Sequence, residues 1–341
     1  MVKQPTKQLN NKITKSQKNL LFRSLIRNFE LCSKFLDKPS ETSFVVLSLD
    51  NFKSKTSFYL ELFSLIRNSE LRSKLLSFGK SKLKTSFYLL FRSLIRNFVL
   101  EINAFVMQLS LVILSAIAPV AVLLWYIIKK DSAQPEPAKW LIRAFCYGML
   151  SVLLSLIFTA PAMMLGASIS SEQYTSVLYA FGDAFALAAV PEEVAKFTLL
   201  WLLLRKNPYF DENFDGIVYA VCVGMGFAGV ENVMYLLGGL ENGSWISIGI
   251  ARALFAVPGH FLFAVLMGYY YSIWHFNIDR SIKTGIIILA APILAHGIYD
   301  GILFSLHMNA FFSAVGMIAF LYFFNRLRNV GKEKISRLMG G

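Results

Sequence analysis

Charge is scarce in this chain. Asp, Glu, Lys and Arg make up 16% of its 341 residues, against about a quarter in soluble domains. The shortfall argues against a soluble enzyme, because the hydrophobic 55% falls in runs near the roughly 20 residues that span a hydrocarbon core. Mean hydropathy is +0.53. Cysteine is scarce as well. Cys32, Cys146 and Cys222 stand far apart, the last two in apolar segments, which argues against a disulfide framework or a CxxC metal pair. Two stretches, 166–176 and 238–247, lack Lys and Arg altogether.

The net charge of +13 invites a nucleic-acid partner, but its distribution argues against one. Residues 1–101 hold 19 of the 34 Lys and Arg and 7 of the 21 Asp and Glu, so the remainder is close to neutral. No nucleic acid is expected. The same segment repeats itself: Leu20 to Phe29 returns unchanged at Leu89 to Phe98, a shortened copy runs from Leu62 to Asn68, and Lys55 to Leu60 returns at Lys84 to Leu89. Irregular spacing and near-identity are unlike stacked structural repeats. Three readings stand for residues 1–105: a basic amphipathic segment on anionic lipid, a disordered basic arm, or repeat sequence read in frame upstream of a start at Met107.

From Val106 onward the pattern is that of an all-α, polytopic membrane bundle of about seven helices. The expected spans are 106–128, 140–165, 177–204, 216–237, 248–274, 284–306 and 309–324. Pro135-Glu136-Pro137 marks a loop. Gly224, Gly226, Ala228 and Gly229 suit close helix packing. Basic residues gather at 129–143, 205–206, 280–283 and in the tail 331–341. By the positive-inside rule that side, with the C-terminus, is cytoplasmic. The first helix then starts outside, and a start at Met107 spares a basic arm from crossing the membrane.

Four polar clusters interrupt these apolar helices. Pro191-Glu192-Glu193-Val194-Ala195-Lys196 places two carboxylates and an amine together, and such charges cost several kcal/mol in a bilayer. Spacings of i,i+4 and i,i+3 let Lys196 reach at most one carboxylate at full strength, leaving the other as a general base or acid. The second cluster is Glu231-Asn232. The third is His260 after Pro258-Gly259, with Arg252 two turns earlier. The fourth is His296 with Asp300 at i,i+4, placed to orient the imidazole. At about 1.5 Å per residue, Glu193, His260 and His296 fall at similar depth. Taken singly, each has a plainer reading as a buried ion pair or a helix-to-helix hydrogen bond. Their gathering at one depth favours a shared site.

In order and spacing these clusters resemble the PrsW family of intramembrane proteases, which are related to CAAX-protease-like bacterial membrane proteins. The resemblance rests on Glu192-Glu193-x-x-Lys196, Tyr219 with Gly224-x-Gly226-Phe227-Ala228-x-x-Glu231-Asn232, Arg252 with Pro258-Gly259-His260, and His296-Gly297-x-Tyr299-Asp300. It covers about residues 107–330, and Ala220 departs from the glycine expected after Tyr219. It implies a protease domain over 106–330 in a bacterial cytoplasmic membrane. The implied partners are the lipid bilayer and a single-pass substrate such as an anti-sigma factor, whose cleavage begins a signalling cascade.

The expected catalytic group is Glu192, Glu193, Lys196, Glu231, Asn232, His260, His296 and Asp300. Glu193 activates water, Glu192 bridges to Lys196 or shares that role, His260 and His296 polarise the carbonyl or hold a metal, Glu231 is a third ligand or second acid, and Asn232 is an oxyanion donor. Glu193, His260 and His296 form a possible zinc set. The chain contains no HExxH motif, so a metal-free glutamate mechanism stays open beside it. The rival class is a non-proteolytic scaffold or a proton-coupled transporter using the same Glu and His residues, although no inverted repeat is visible.

Overall fold

The computed structural model describes residues 81–164, 174, 176–240, 242–306 and 308–339. The repeats within residues 1–80 lie outside them. The chain divides into two units, Met1–Ala104 and Phe105–Gly341, and the bundle below is the second, to which the first helix belongs from Phe105 onward. Its elements, among the described residues, are all helical. They are α1 (Ser81–Lys130), α2 (Ala138–Met164), α3 (Val177–Asp183), a π-helical turn π1 (Ala184–Ala189), α4 (Val190–Leu204), α5 (Asp215–Gly238), α6 (Trp245–Ala251), a second π turn π2 (Arg252–Ala256), α7 (Val257–His275), α8 (Ile282–Ser305) and α9 (Ala310–Met339).

Among the described residues, six helical stretches are long and apolar enough to cross a membrane. The expected third span, 177–204, is not among them, since Asp183, Glu192, Glu193 and Lys196 make it too polar. Among the described residues the first helix is already formed from Ser81, ahead of the expected Val106, and no proline or glycine interrupts it before Pro119. The basic residues of the tail lie in α9, which runs to Met339 among the described residues.

α5 is the axis of the bundle. Every residue from Asp215 to Ala228 is buried, as expected of a helix apolar on all sides. It packs against α2 on one flank and α7 on the other, while α8 joins α7 to α3, π1 and α9. Two glycines decide how closely. A Cβ at Gly226 would overlap the Phe145 carbonyl on α2, and one at Gly148 would overlap the Val223 carbonyl on α5. These helices meet backbone to backbone, as small residues permit in membranes.

Four tryptophans near helix ends each carry a basic side chain. Lys129 lies over Trp125 at 4.9 Å, Arg143 over Trp140 at 4.7 Å, Arg205 over Trp201 at 4.8 Å and Arg280 over Trp274 at 5.1 Å. Such pairs belong to a membrane interface. Between α1 and α2, the Glu136 N–H donates to Asp131 and the Tyr219 hydroxyl of α5 donates to the Glu136 carboxylate. Burial, with the nearby Asp215 carboxylate, pushes Glu136 up to about 8, and burial pushes Asp131 up to about 7.

Two outcomes are expected. Gly226→Ala forces α2 and α5 apart and costs about 1–3 kcal/mol, read as a lower thermal midpoint of the detergent-purified protein. Glu136 holds its proton to higher pH folded than unfolded, so stability declines as pH rises from the ordinary carboxyl range through about 8. Glu136→Gln removes that decline. Its thermal midpoint exceeds wild type at about pH 9, and the gap closes toward about pH 4.

Candidate active site

The same local sequence builds two walls of the site. Ala189-Val190-Pro191 precedes Glu192-Glu193, and Ala256-Val257-Pro258 precedes Gly259-His260. Proline has no N–H and its ring crowds the carbonyl four residues back. The helix answers each time by widening: Val190 N–H donates to Phe185 O and Val257 N–H to Arg252 O, both five residues back. In each case the turn that follows presents a functional side chain two residues after the proline. Such π turns recur at functional sites.

Lys196 sits at the centre. Its Nζ lies 2.8 Å from Glu193 Oε1, 3.1 Å from Glu192 Oε2 and 3.3 Å from His260 Nδ1, with the ammonium 3.9 Å over the Phe227 ring. The expectation that Lys196 serves one carboxylate at full strength is therefore corrected. Its long side chain runs back over the preceding turn, where positions i−3 and i−4 share a face.

Both imidazoles are held the same way. His260 Nε2 lies 2.7 Å from Glu231 Oε2, and His296 Nε2 lies 3.1 Å from Asp300 Oδ2. That leaves each Nδ1 facing the centre, His260 toward Lys196 and His296 toward Glu193 Oε1 at 2.9 Å. An imidazole oriented by a carboxylate on its far nitrogen is the usual support of a metal-binding histidine. The two rings stand nearly perpendicular, 5.4 Å between centroids, and Phe263 stacks on His296 at 4.7 Å.

The structure thus brings all eight expected residues into one network, in two layers. Glu192, Glu193, Lys196, His260 and His296 form the inner one. Glu231 and Asp300 stand behind the histidines. Asn232 does not fit its expected part as oxyanion donor: its Nδ2 donates to Ala116 O of α1 at 3.0 Å, and its Oδ1 accepts from Arg252 Nε at 2.5 Å. Arg252 also donates to Glu231 Oε2 at 2.7 Å. Missing from the expected group, Arg252 carried the same signal as the glutamates, a charge inside an apolar helix. Phe227 and Phe263 carried none, being ordinary apolar residues in the sequence.

The donors fit a divalent ion. One atom each from Glu192, Glu193, His260 and His296 can be chosen within 4.8 Å of one another, which adds Glu192 to the expected set and leaves Glu231 outside it. Glu193 is fully buried, and its Oε2 has no hydrogen-bond partner. Four carboxylates face the Lys196 and Arg252 cations here, and His296, which meets a carboxylate at each ring nitrogen, donates from both and adds a third positive charge, leaving an excess of one negative charge.

Residues 136–326 match the family described as PrsW family intramembrane metalloprotease, a segment that takes in the whole network. The chain belongs to the PrsW family. It is 38% identical over 230 residues to Protease PrsW of Oceanobacillus iheyensis, covering 65% of this chain and 98% of that protein. It is 33% identical over 230 residues to Protease PrsW of Bacillus subtilis, covering 67% and 98%, and 32% identical over 205 residues to that of Geobacillus kaustophilus, covering 60% and 85%. No solved structure matches. This PrsW chain is therefore an intramembrane protease with several membrane-spanning helices, a class that acts on membrane-embedded substrates.

The second layer yields a prediction. Asp300→Asn weakens the hold on His296 Nε2, and metal affinity or cleavage rate falls about 10- to 100-fold. Competition with a fluorescent zinc chelator and a cleavage assay measure the two.

Proposed function

We propose that this chain is an endopeptidase of the bacterial cytoplasmic membrane that hydrolyses a peptide bond of a single-pass, anti-sigma-factor-like protein, with its own C-terminus cytoplasmic. One observation carries the reading: two carboxylates and two oriented imidazoles converge within 4.8 Å inside a helical membrane bundle. A structural ion pair needs only two of these groups. The proposed orientation is supported by the positive charge of the basic residues stacked over tryptophan at the ends of α1, α2, α4 and α7.

Glu193 is the proposed base. Its Oε1 is held by Lys196 and His296, while Oε2 is free to take a proton from water. Glu192 is the less buried of the pair, with 14% of its side chain exposed, and stands where a substrate reaches the site. Lys196 keeps the two carboxylates together without repulsion. His260 and His296, with the glutamates, would hold a divalent ion such as zinc. The chemistry such an ion supplies when bound is Lewis acidity toward water and the scissile carbonyl.

A second mechanism keeps one observation in its favour. Lys196 Nζ already meets Glu192, Glu193 and His260 as a cation, an arrangement that serves a metal-free glutamate mechanism.

The test is cleavage of a tagged single-pass substrate by purified protein in lipid. Glu193→Gln is expected to lower the rate by about 10²- to 10⁴-fold without loss of membrane insertion. Retained cleavage in that variant sinks the assignment of Glu193 as the base, and no cleavage by the wild type favours a scaffold or transporter. Chelation is expected to abolish activity and zinc to restore it, whereas full activity with no bound metal establishes the glutamate mechanism.

A further inference from the structure

Arg252 lies inside an apolar helical stretch, where an arginine needs partners. It has two on α5: Nη2 donates to Glu231 Oε2 at 2.7 Å and Nε donates to Asn232 Oδ1 at 2.5 Å. Its guanidinium also lies 4.3 Å over the Tyr235 ring. Asn232 is in turn anchored to α1 through Ala116 O. The guanidinium fork is thus fixed at both prongs, a geometry that a point charge does not reproduce.

The same Glu231 oxygen meets His260 Nε2 at 2.7 Å. A carboxylate only accepts, so Nε2 carries the hydrogen. The opposite nitrogen agrees. Nδ1 lies 3.3 Å from the Lys196 ammonium, which only donates, and so Nδ1 presents its lone pair to the site. The π2 turn makes this alignment possible. Residues eight apart on a regular α-helix are offset by about 80°, whereas a π turn absorbs one residue and reduces the offset to about 20°. Arg252 and His260 therefore face α5 on one side and share one carboxylate oxygen.

We propose that Arg252 is a positioning residue: it fixes the Glu231 carboxylate where it receives His260 Nε2–H, and through it holds His260 Nδ1 toward Lys196 and the Glu192–Glu193 pair. Arg252 touches neither substrate nor reacting atoms. Its effect on cleavage rests on the proteolytic reading above, but its effect on His260 does not.

The experiment compares wild type, R252M, R252K, E231Q and E231Q/R252M in lipid nanodiscs. The first readout is the ring N–H resonance of His260 in protein labelled with ¹⁵N at histidine and assigned with H260N. Wild type is expected to show a hydrogen-bonded Nε2–H. R252M loses or broadens that signal while the His296 signal stays, and R252K retains it. The second readout is kinetic. R252M lowers kcat about 10- to 100-fold with KM within about twofold, and R252K recovers part of the loss.

Because Arg252 acts through Glu231, E231Q/R252M matches E231Q. That pair decides alone where R252M does not accumulate, since it leaves no buried carboxylate unpaired. An unchanged Nε2–H signal in R252M, or a further tenfold loss from R252M in the E231Q background, overturns the proposal. Absence of cleavage in wild type refutes the proteolytic reading instead, and the resonance still tests Arg252.

Discussion

Everything at the site depends on one buried ammonium. Lys196 is 3% exposed and holds two neighbouring glutamates and a histidine around a single point. Without it, Glu192 and Glu193 would repel across adjacent positions of one helix in a medium that screens charge poorly. The lysine thus lets the two carboxylates stay close. The Phe227 ring beneath it keeps the ammonium attracted on its apolar side as well.

Such a charge needs a rigid frame, because a buried ion pair gains only when its geometry holds. α5 supplies the frame. Its glycines bring α2 and α7 against its backbone, which leaves little room for helices to slide. Prolines then create the openings. At Pro191 and Pro258 the helix widens by one residue and turns the next side chains inward, so the breaks in regular helix fall at the candidate site. Stability and function are thus divided along the chain: small residues lock α5, and proline-linked π turns aim the groups around it.

Much of this was legible in the residues themselves. Charges in apolar helices are rare enough that Glu192, Glu193, Lys196, Glu231, His260, His296 and Asp300 all announced themselves by cost. Asp300 even disclosed its role, since i,i+4 on a helix leaves few alternatives. Asn232 misled because an amide shows nothing of which way it is used, and its two hydrogen bonds go to α1 and π2, far off in sequence. The π turns inside the third and fifth spans are not visible to hydropathy, which averages over them, whereas the missing N–H of Pro191 or Pro258 acts on a single bond.

The sequence by itself determined the class of the molecule and the inventory of its site. Apolar runs too long for a soluble core require membrane helices, and ionisable groups within them require partners. Only the tertiary structure decided who those partners are: that Glu231 belongs to His260 and Arg252 together, that Asp300 closes on His296, and that both imidazoles turn Nδ1 toward Lys196 and Glu193. The physical reason is the range of the signals. Burial cost and helical spacing are local and can be read along one strand of sequence, while a hydrogen bond between helices depends on distance and rotation that packing alone fixes.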